Sequence, residues 1–267
     1  DYLWEQKYLE SNEMPITLSE FYERGIYRRL SYRPFLWIIL FVLRGAENVI
    51  FNSDRQAELY RKFCGLKRIS VIYNPVPRIE TRGVSREFAS KEFVYLGRFI
   101  VMKNLTTLVR AFAQARLPND FSLLLIGDGP RKTELISLVN KLGIQSRVQI
   151  LASMSFPKAM ERIKNCRAFV LPSWTDISPN QVYQSLAIGL PSLVTKENYL
   201  SVRDKLPDMI DPTSVSDISS KLEMLANEEE YKRFSGVFSA IRFDHSWDDV
   251  TREHVAILGR VIKNVCA

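Results

Sequence analysis

Short apolar runs alternate with amphipathic segments through the larger part of the chain. The apolar runs predict strands near residues 93–97, 121–126, 147–151, 168–171 and 192–195. The first segment between them repeats apolar residues at helical spacing, with Leu105, Leu108, Val109 and Phe112 on one face. Strands that alternate with helices predict an α/β fold, a Rossmann-like parallel sheet with helices on both faces. Three further helices are predicted over 214–226, 228–240 and 247–265.

The first 77 residues hold only two strand candidates, 48–53 and 69–73, around a predicted helix at 54–63. Two strands are too few for a stable parallel sheet with covered faces. Residues 1–77 are therefore predicted to be the C-terminal part of a Rossmann-like first domain that is incomplete in this chain. Prolines and charges between Asn74 and Ser90 suggest a linker. The predicted domains are 1–77, 78–245 and a C-terminal helical segment, 246–267.

Charge is unevenly distributed near the start of the chain. Residues 1–23 carry one Lys and six acidic residues, and are predicted to be a solvated segment. Residues 24–44 carry five Arg and no acid, around the apolar run Phe35–Leu43. Nine apolar residues are too few to span a bilayer, which takes about 20. The run is predicted to be a buried helix, or else a peripheral contact with an anionic membrane through 24–44.

Composition narrows the class of protein. The chain has 267 residues, of which 46% are hydrophobic and 25% charged, and a net charge of +7. Three widely spaced cysteines fit a reducing, cytoplasmic compartment without a disulfide framework. The two histidines lie far from any cysteine at ligand spacing, so no metal site is predicted. The basic residues form no aromatic-interleaved pattern, so nucleic acid is not an expected partner.

Candidate chemistry follows three of the predicted strands. Arg98 and Lys103 come after the first, and a glycine-rich turn, 127–130, comes after the second. The strand 168–171 leads into a loop with Asp176 and then a helix, which Ser178 is predicted to cap and whose first turn suits Pro179. Ligands bind at the carboxyl ends of parallel strands, and cations with a helix N-terminus suit phosphate. Taken singly, each segment also fits an ordinary β-α-β unit with solvated polar residues.

Four segments, in this order, resemble the donor-binding half of the retaining family 4 glycosyltransferases, which have the GT-B fold. They are Val94–Arg98 with Lys103, Leu125–Pro130, Val170–Ser173 and Asp176–Pro191. The resemblance covers roughly residues 66–265. It implies that 78–245 is the domain that binds the nucleotide-sugar donor, and that the C-terminal helix of 246–267 packs back toward the first domain. It implies transfer of a sugar from a UDP- or GDP-linked donor, with no cofactor and no metal. The implied acceptor is a glycan, a lipid-linked saccharide or another cell-envelope molecule, and the implied location is the cytoplasm or the inner face of the membrane.

The resemblance also implies roles for individual residues. Arg98 and Lys103 would hold the diphosphate, Asp176 would lie near the transferred sugar, and these three form the catalytic set. Gln184 would bind the ribose, and the loop around Met154 would hold the base. The N–H groups near Ser178–Gln181 would bind the same phosphates. The complete donor-binding set is Gly97, Arg98, Lys103, Gly127, Met154, Ser178, Pro179, Asn180, Gln181 and Gln184.

This chain departs from the family pattern at the donor site. The family normally has two glutamates separated by seven residues, where this chain has Asp176 and Gln184. The usual Gly-Phe after the first glutamate is Ile177-Ser178. No His precedes His245, although relatives often supply a catalytic His from the first domain. Two further functions therefore stay open: a donor-binding subunit of a split glycosyltransferase, and a non-catalytic binding or scaffold protein.

Overall fold

The computed structural model describes residues 15–25, 33–76, 90–177 and 179–265. Side chains are described from Trp37 onward in the range 33–76, and as far as Lys263 in the range 179–265. The strands are β1 (Val49–Phe51), β2 (Ile69–Val71), β3 (Glu92–Leu96), β4 (Ser122–Ile126), β5 (Val148–Leu151), β6 (Ala168–Leu171), β7 (Ser192–Thr195) and β8 (Met209–Ile210). The α-helices are α1 (Leu18–Glu23), α2 (Arg33–Gly45), α3 (Asp54–Cys64), α4 (Leu105–Gln114), α5 (Lys132–Lys141), α6 (Phe156–Ile163), α7 (Asn180–Ala187), α8 (Val215–Ala226), α9 (Glu228–Ala240) and α10 (Trp247–Val265).

A six-stranded parallel sheet forms the centre of the molecule, in the order β5-β4-β3-β6-β7-β8. The predicted α/β fold with a parallel sheet is confirmed. The prediction of five strands in this region missed β8, which pairs with β7 through only two residues, Met209 and Ile210. A strand of that length has no periodicity that a sequence pattern could reveal. A separate two-stranded parallel sheet pairs β1 with β2.

All six strands are parallel, but the side of the sheet on which successive strands are added reverses at β3. Strands β3, β4 and β5 proceed towards one edge, and the chain then returns to place β6 on the other side of β3. Because βαβ connections are right-handed, this reversal places α4 and α5 on one face and α6 and α7 on the other. Helix α8 packs against α4 and completes the first face. Both faces of the sheet are therefore covered, which explains why β6 and β7 are buried at every residue.

A second apolar core lies beside the sheet domain. It joins Leu18, Phe21 and Tyr22 of α1 to residues of α2, α3 and β1, and it includes Ile100 and Tyr199 from the larger part of the chain. Residues on both sides of position 77 therefore share one core. Most of the linker proposed between them, residues 77–89, lies outside the described residues, and the division into domains stays a prediction.

Two hydrogen bonds reinforce this contact between the first helices and the sheet domain. The backbone N–H of Leu18 donates to Thr175 Oγ1 at 2.7 Å, and Ser53 Oγ donates to the carbonyl of Tyr199 at 2.8 Å. The prediction that residues 1–23 form a solvated segment is thus wrong for the described part, 15–23. There the acidic residues occupy the outer face of an amphipathic helix, with Glu23 exposed and Phe21 fully buried.

Helix α2 contradicts the prediction of a buried helix at Phe35–Leu43. The helix forms, but Trp37, Ile38, Phe41 and Val42 expose 66%, 64%, 81% and 62% of their surface. Only Leu40 among the described side chains of the run is buried, against the second core. Within the part of the chain that the structure describes, no helix is both long enough and apolar enough to cross a membrane.

One buried phenylalanine in α1 and one exposed phenylalanine in α2 allow a matched test of the second core. We expect Phe21→Ala to lower the free energy of unfolding by about 3–5 kcal/mol, because a fully buried phenylalanine leaves a cavity. The same substitution at the exposed Phe41 should change it by less than about 0.5 kcal/mol. Urea denaturation of both variants measures the difference. Equal losses would contradict the packing of α1 described here.

Candidate functional site

The loops that follow β3 and β6 meet at the carboxyl edge of the sheet. These strands are neighbours in the sheet, and the connections that leave them lead towards opposite edges, which is the position where open parallel sheets generally bind a ligand in a crevice. The loop after β3 contains Gly97, Arg98 and a 3-10 turn, Val101–Lys103. The loop after β6 carries Asp176 and leads into α7. The sheet topology therefore brings together the segments that carry all three predicted catalytic residues.

Lys103 and Asp176 form a buried ion pair across this crevice. The Lys103 ammonium donates to Asp176 Oδ2, and the two side chains are only 11% and 8% exposed. Ser173 Oγ donates to the same carboxylate oxygen at 3.0 Å. Charges buried this deeply need both a partner and further hydrogen bonds to offset their desolvation, and this cluster supplies them.

Backbone hydrogen bonds hold the two loops in register. The N–H of Trp174 donates to the carbonyl of Met102 at 2.9 Å, directly beside Lys103. Asp176 also forms an isolated parallel bridge with Asn198, and its carbonyl accepts from the N–H of Tyr199 at 3.0 Å. The carboxylate of Asp176 is therefore held by a fixed backbone and does not hang from a mobile loop.

Arg98 extends from the turn after β3 and is exposed, in contrast to Lys103. The buried Tyr95 hydroxyl donates to the Arg98 carbonyl at 2.9 Å and so fixes this turn. Burial raises the pKa of Tyr95 well above its usual value, the Asp176 carboxylate raises it further, and Arg98 opposes the shift. The tyrosine stays neutral at physiological pH and acts only as a hydrogen-bond donor.

Gly97 and Gly127 allow the turns after β3 and β4 to touch. A side-chain carbon at Gly127 would lie 1.9 Å from the Gly97 carbonyl oxygen, and one at Gly97 would lie 2.7 Å from the Tyr95 hydroxyl. Packing between the two turns is thus sufficient to require Gly127, and its role in donor binding stays a prediction. The amide nitrogen of Gln181 lies 3.4 Å from the position of a carbon added at Gly97, so Gln181 covers this turn from α7.

Helix α7 begins one residue later than the sequence pattern predicts. Pro179 is the N-cap, in an extended conformation, and the helix starts at Asn180, so the placement of Pro179 in the first turn is wrong. The side chain of proline cannot accept a capping hydrogen bond, and no side chain among the described residues caps the first turn of α7. The predicted cap, Ser178, lies outside the described residues.

The remaining predicted residues are spread along two segments. Asn180 Oδ1 accepts from Asn74 Nδ2 at 2.9 Å, which connects α7 to the segment after β2. Gln184 is half-buried one turn further along the helix. Met154 follows β5, an edge strand of the six-stranded sheet. It is half-buried against the apolar core of that sheet, whereas Ala152 and Ser153 are exposed. One strand, β4, thus lies between β5, which Met154 follows, and β3, which Lys103 follows.

Two residues of this site were not predicted from the sequence. Ser173 orients Asp176, and Asn104 follows Lys103 with an unusual positive φ of 54°. An Asn directly before an amphipathic helix is a recognisable signal for a left-handed backbone. Ser173 lies in one of the four segments that carry the resemblance, but its role was not predicted, because a Ser three residues before an Asp is also common in turns.

A groove of about 410 Å³ lies at the opposite, amino-terminal edge of the sheet. Its charged groups are already paired, Arg162 with Glu92 at 2.6 Å and Lys91 with Asp120 at 2.5 Å. Burial raises the pKa of the Cys166 thiol far above its usual value, which makes it a poor nucleophile. Among the described residues, no three His, Cys, Asp or Glu side chains are grouped so that they could hold a metal ion.

Comparison with known proteins agrees with this architecture. The family model of glycosyl transferases group 1 matches residues 79–235. An uncharacterized glycosyltransferase of Methanocaldococcus jannaschii is 26% identical over 190 residues, which are 66% of this chain and 45% of the relative. Campylobacter jejuni N-acetylgalactosamine-N,N'-diacetylbacillosaminyl-diphospho-undecaprenol 4-alpha-N-acetylgalactosaminyltransferase is 29% identical over 133 residues, 48% of this chain and 35% of the relative. The chain thus spans less than half the length of these two curated relatives.

Solved structures confirm the predicted GT-B type of fold. The structure of Anabaena HepE in complex with UDP and glucose superposes with a TM-score of 0.70 and 16% identity, over 84% of this chain and 66% of that one. The lipopolysaccharide outer core galactosyltransferase WaaB, in its apo form, superposes with a TM-score of 0.63 and 22% identity, over 80% of this chain and 62% of that one. Sequence identities this low are evidence for a shared fold and for no further property.

The buried ion pair predicts strong coupling between its two partners. We expect Lys103→Met and Asp176→Asn each to lower the free energy of unfolding by about 3–5 kcal/mol, because each leaves the other group buried without its partner. The double variant should lose clearly less than the sum. The exposed pair Arg233–Glu230 is the control and should show a coupling of less than about 1 kcal/mol. Additive losses for Lys103 and Asp176 in urea denaturation would contradict the pairing.

Proposed function

Because the chain belongs to the family of glycosyl transferases group 1, we propose that it binds a nucleotide-diphosphate sugar at the crevice between β3 and β6. The whole protein would transfer the sugar to a glycan, a lipid-linked saccharide or another cell-envelope acceptor. The observation that carries the proposal is the position of two cations, Arg98 and Lys103, and one carboxylate, Asp176, at this reversal of the sheet. Cations placed at such a crevice suit a diphosphate.

In the proposed reaction, Arg98 and Lys103 neutralise the diphosphate as it leaves. Arg98 is exposed and can present a planar fork to phosphate oxygens, whereas Lys103 is a buried point charge. The backbone N–H groups of Asn180 and Gln181, at the start of α7, provide further donors for the same phosphates. Negative charge grows on the leaving group in the transition state, so these groups stabilise that state more than the ground state.

Asp176 is proposed to stabilise positive charge at the anomeric carbon, and Gln184 to bind the ribose. Transfer is proposed to retain the anomeric configuration, as the resemblance to family 4 implies. The proposal of a UDP- or GDP-linked donor is supported by HepE, whose structure contains UDP and glucose. The Campylobacter relative, named for a diphospho-undecaprenol-linked saccharide, supports a lipid-linked acceptor. Proton NMR of the anomeric product from the intact protein tests retention, and an inverted product would contradict it.

We further propose that α2 rests on an anionic membrane at the inner face, which would place the site near lipid-linked acceptors. The exposed apolar residues Trp37, Ile38, Phe41 and Val42 can enter the interface. Arg44, at the end of α2, donates to the carbonyl of Cys64 at 2.9 Å and so joins this helix to the end of α3. Exposed cations surround that junction and complement an anionic surface, namely Arg61, Lys62 and Lys67. Arg68 is exposed there too, but it pairs with Glu47 at 3.0 Å.

The diphosphate contact is tested by comparing ligands with and without phosphates. We expect Arg98→Ala and Lys103→Ala each to weaken binding of UDP or GDP by about 1.5–3 kcal/mol, the range for charged hydrogen bonds. Binding of the matching nucleoside should barely change. The control is Lys91→Ala, which removes the same charge at the amino-terminal edge of the sheet and should leave both affinities unchanged. Calorimetric losses of equal size for nucleoside and diphosphate would exclude these roles.

The membrane contact is tested with vesicles of defined charge. The chain should sediment with phosphatidylglycerol vesicles and much less with phosphatidylcholine vesicles. Trp37→Ser with Phe41→Ser should abolish sedimentation, because the change removes the two exposed aromatic groups among the described side chains of α2. Val237→Ser, at an exposed apolar residue of α9, is the control and should have no effect. Sedimentation that is independent of lipid charge, or that the double substitution does not affect, would contradict the proposal.

A comparison of Gln184 with its Glu variant distinguishes an active transferase from a non-catalytic relative. A glutamine can hydrogen-bond ribose hydroxyls but carries no charge. Gln184→Glu should keep or improve donor affinity if this residue binds the ribose. The intact protein is a binding or scaffold protein if it binds the diphosphate but neither hydrolyses nor transfers the donor, whether residue 184 is Gln or Glu. Activity that appears only with a second chain identifies a split transferase.

A further inference from the structure

Asn104 has a backbone conformation that is rare for its residue type. It lies between the 3-10 turn Val101–Lys103 and α4, with φ 54° and ψ 35°. In the part of the chain that the structure describes, it is the one residue other than glycine with a positive φ. Its side chain is also buried, at 4% exposure. A left-handed asparagine is tolerated at a cost that glycine would avoid, so the side chain itself must contribute something.

The carboxamide of Asn104 uses every group it has. Its Nδ2 donates to the carbonyl of Pro172 at 3.1 Å and to the carbonyl of Pro212 at 2.8 Å. Its Oδ1 accepts from Thr107 Oγ1 at 2.6 Å. Pro172 follows β6 and Pro212 follows β8, while Asn104 itself follows β3. One buried side chain thus joins the loops that leave three strands at the same edge of the sheet.

The loop joined through Pro172 is the loop that carries Ser173 and Asp176. Asn104 is adjacent in sequence to Lys103, whose ammonium binds Asp176. The backbone contact from Trp174 to Met102 lies between these two connections. Three links therefore set the distance between the two loops: the ion pair, the backbone bond from Trp174 to Met102, and the bond from Asn104 to Pro172. Only the last of these depends on a side chain outside the ion pair.

We propose that Asn104 is a positioning residue, which holds Lys103 in the orientation needed to meet a diphosphate. This rests on the proposed function only for the identity of the ligand that Lys103 meets. A glycine at this position would keep the backbone conformation but would lose both carbonyl links. An aspartate would keep the shape but could not donate to a carbonyl. Asn104→Gly and Asn104→Asp therefore separate the amide from the backbone.

The first experiment measures ligand affinity by calorimetry, with UDP, GDP and their nucleosides. We expect either Asn104 variant to bind the diphosphate about tenfold more weakly, with nucleoside affinity unchanged within about twofold. Thr107→Val leaves the two carbonyl links in place and should change diphosphate affinity by less than about threefold.

Arg147→Met is the matched control for a purely structural role. Arg147 also joins two carbonyls through one side chain, Phe121 at 3.0 Å and Pro118 at 3.3 Å, but at the amino-terminal edge of the sheet. This variant should lower the thermal midpoint without changing diphosphate affinity. If it weakens diphosphate binding as much as the Asn104 variants do, or if those variants weaken nucleoside binding equally, the proposal is overturned.

The second experiment needs no nucleotide. Acylation of lysines by an amine-reactive ester, followed by mass spectrometry, reports how well the Lys103 ammonium is held in its buried pair. We expect Lys103 to react several-fold faster in the Asn104 variants than in the wild-type chain or in Arg147→Met. An unchanged rate in both Asn104 variants overturns the proposal, and if one of them fails to fold, the other decides. Should the wild-type chain bind neither UDP nor GDP, the proposed function fails while the Lys103 rate still decides the positioning role.

Discussion

The buried pairing of Lys103 with Asp176 is the constraint on which the site depends. Two opposite charges at the edge of a dense sheet domain are costly unless their geometry is held closely. The surrounding contacts serve that requirement: Ser173 binds the same carboxylate oxygen, and backbone bonds fix both loops. A charge held in this way is already oriented before a ligand arrives, which reduces the reorganisation that binding would need.

The second core explains why the first helices matter to this site. Residues of α1 and α3 cover Ile100 and Tyr199, which flank the loops of Lys103 and Asp176. The hydrogen bond from Leu18 to Thr175 ends one residue before Asp176. The carboxyl edge of the sheet is therefore supported from two sides, by its own strands and by helices from the start of the chain. A disturbance of α1 is expected to reach the ion pair through these contacts.

The main sheet could be predicted because its pattern is local. Strand β6 is buried on both faces and appears as a continuous apolar run, so its bounds were predicted to the residue. The bounds of β7, where Ser192 and Thr195 flank two apolar residues, were predicted equally well. Helix α1 was missed although Thr17 and Glu20 form a capping box, because six acidic residues in 1–23 dominated the composition. The exposure of α2 could not be predicted, since an apolar run indicates burial only when a partner covers it.

Part of the candidate site could be predicted because its residues follow strands that have a local sequence pattern. Arg98, Lys103 and Asp176 stand at strand ends, and the order of the strands decides that these ends meet. The sequence does not contain the pairing of Lys103 with Asp176, because 73 residues separate them and only the reversal at β3 brings them together. The position of Asn104 before an amphipathic helix could have indicated its left-handed backbone, but its contacts with the carbonyls of Pro172 and Pro212 are not marked by any residue pattern.

The most direct measurement of the central claim compares a nucleoside diphosphate with its monophosphate on wild-type and Lys103→Ala chains. If Lys103 meets the diphosphate at the crevice between β3 and β6, the substitution should remove most of the affinity gained from the second phosphate. The monophosphate should then lose much less affinity than the diphosphate. Equal losses for the two nucleotides, or no loss for either, would contradict the assignment of this crevice as the donor site.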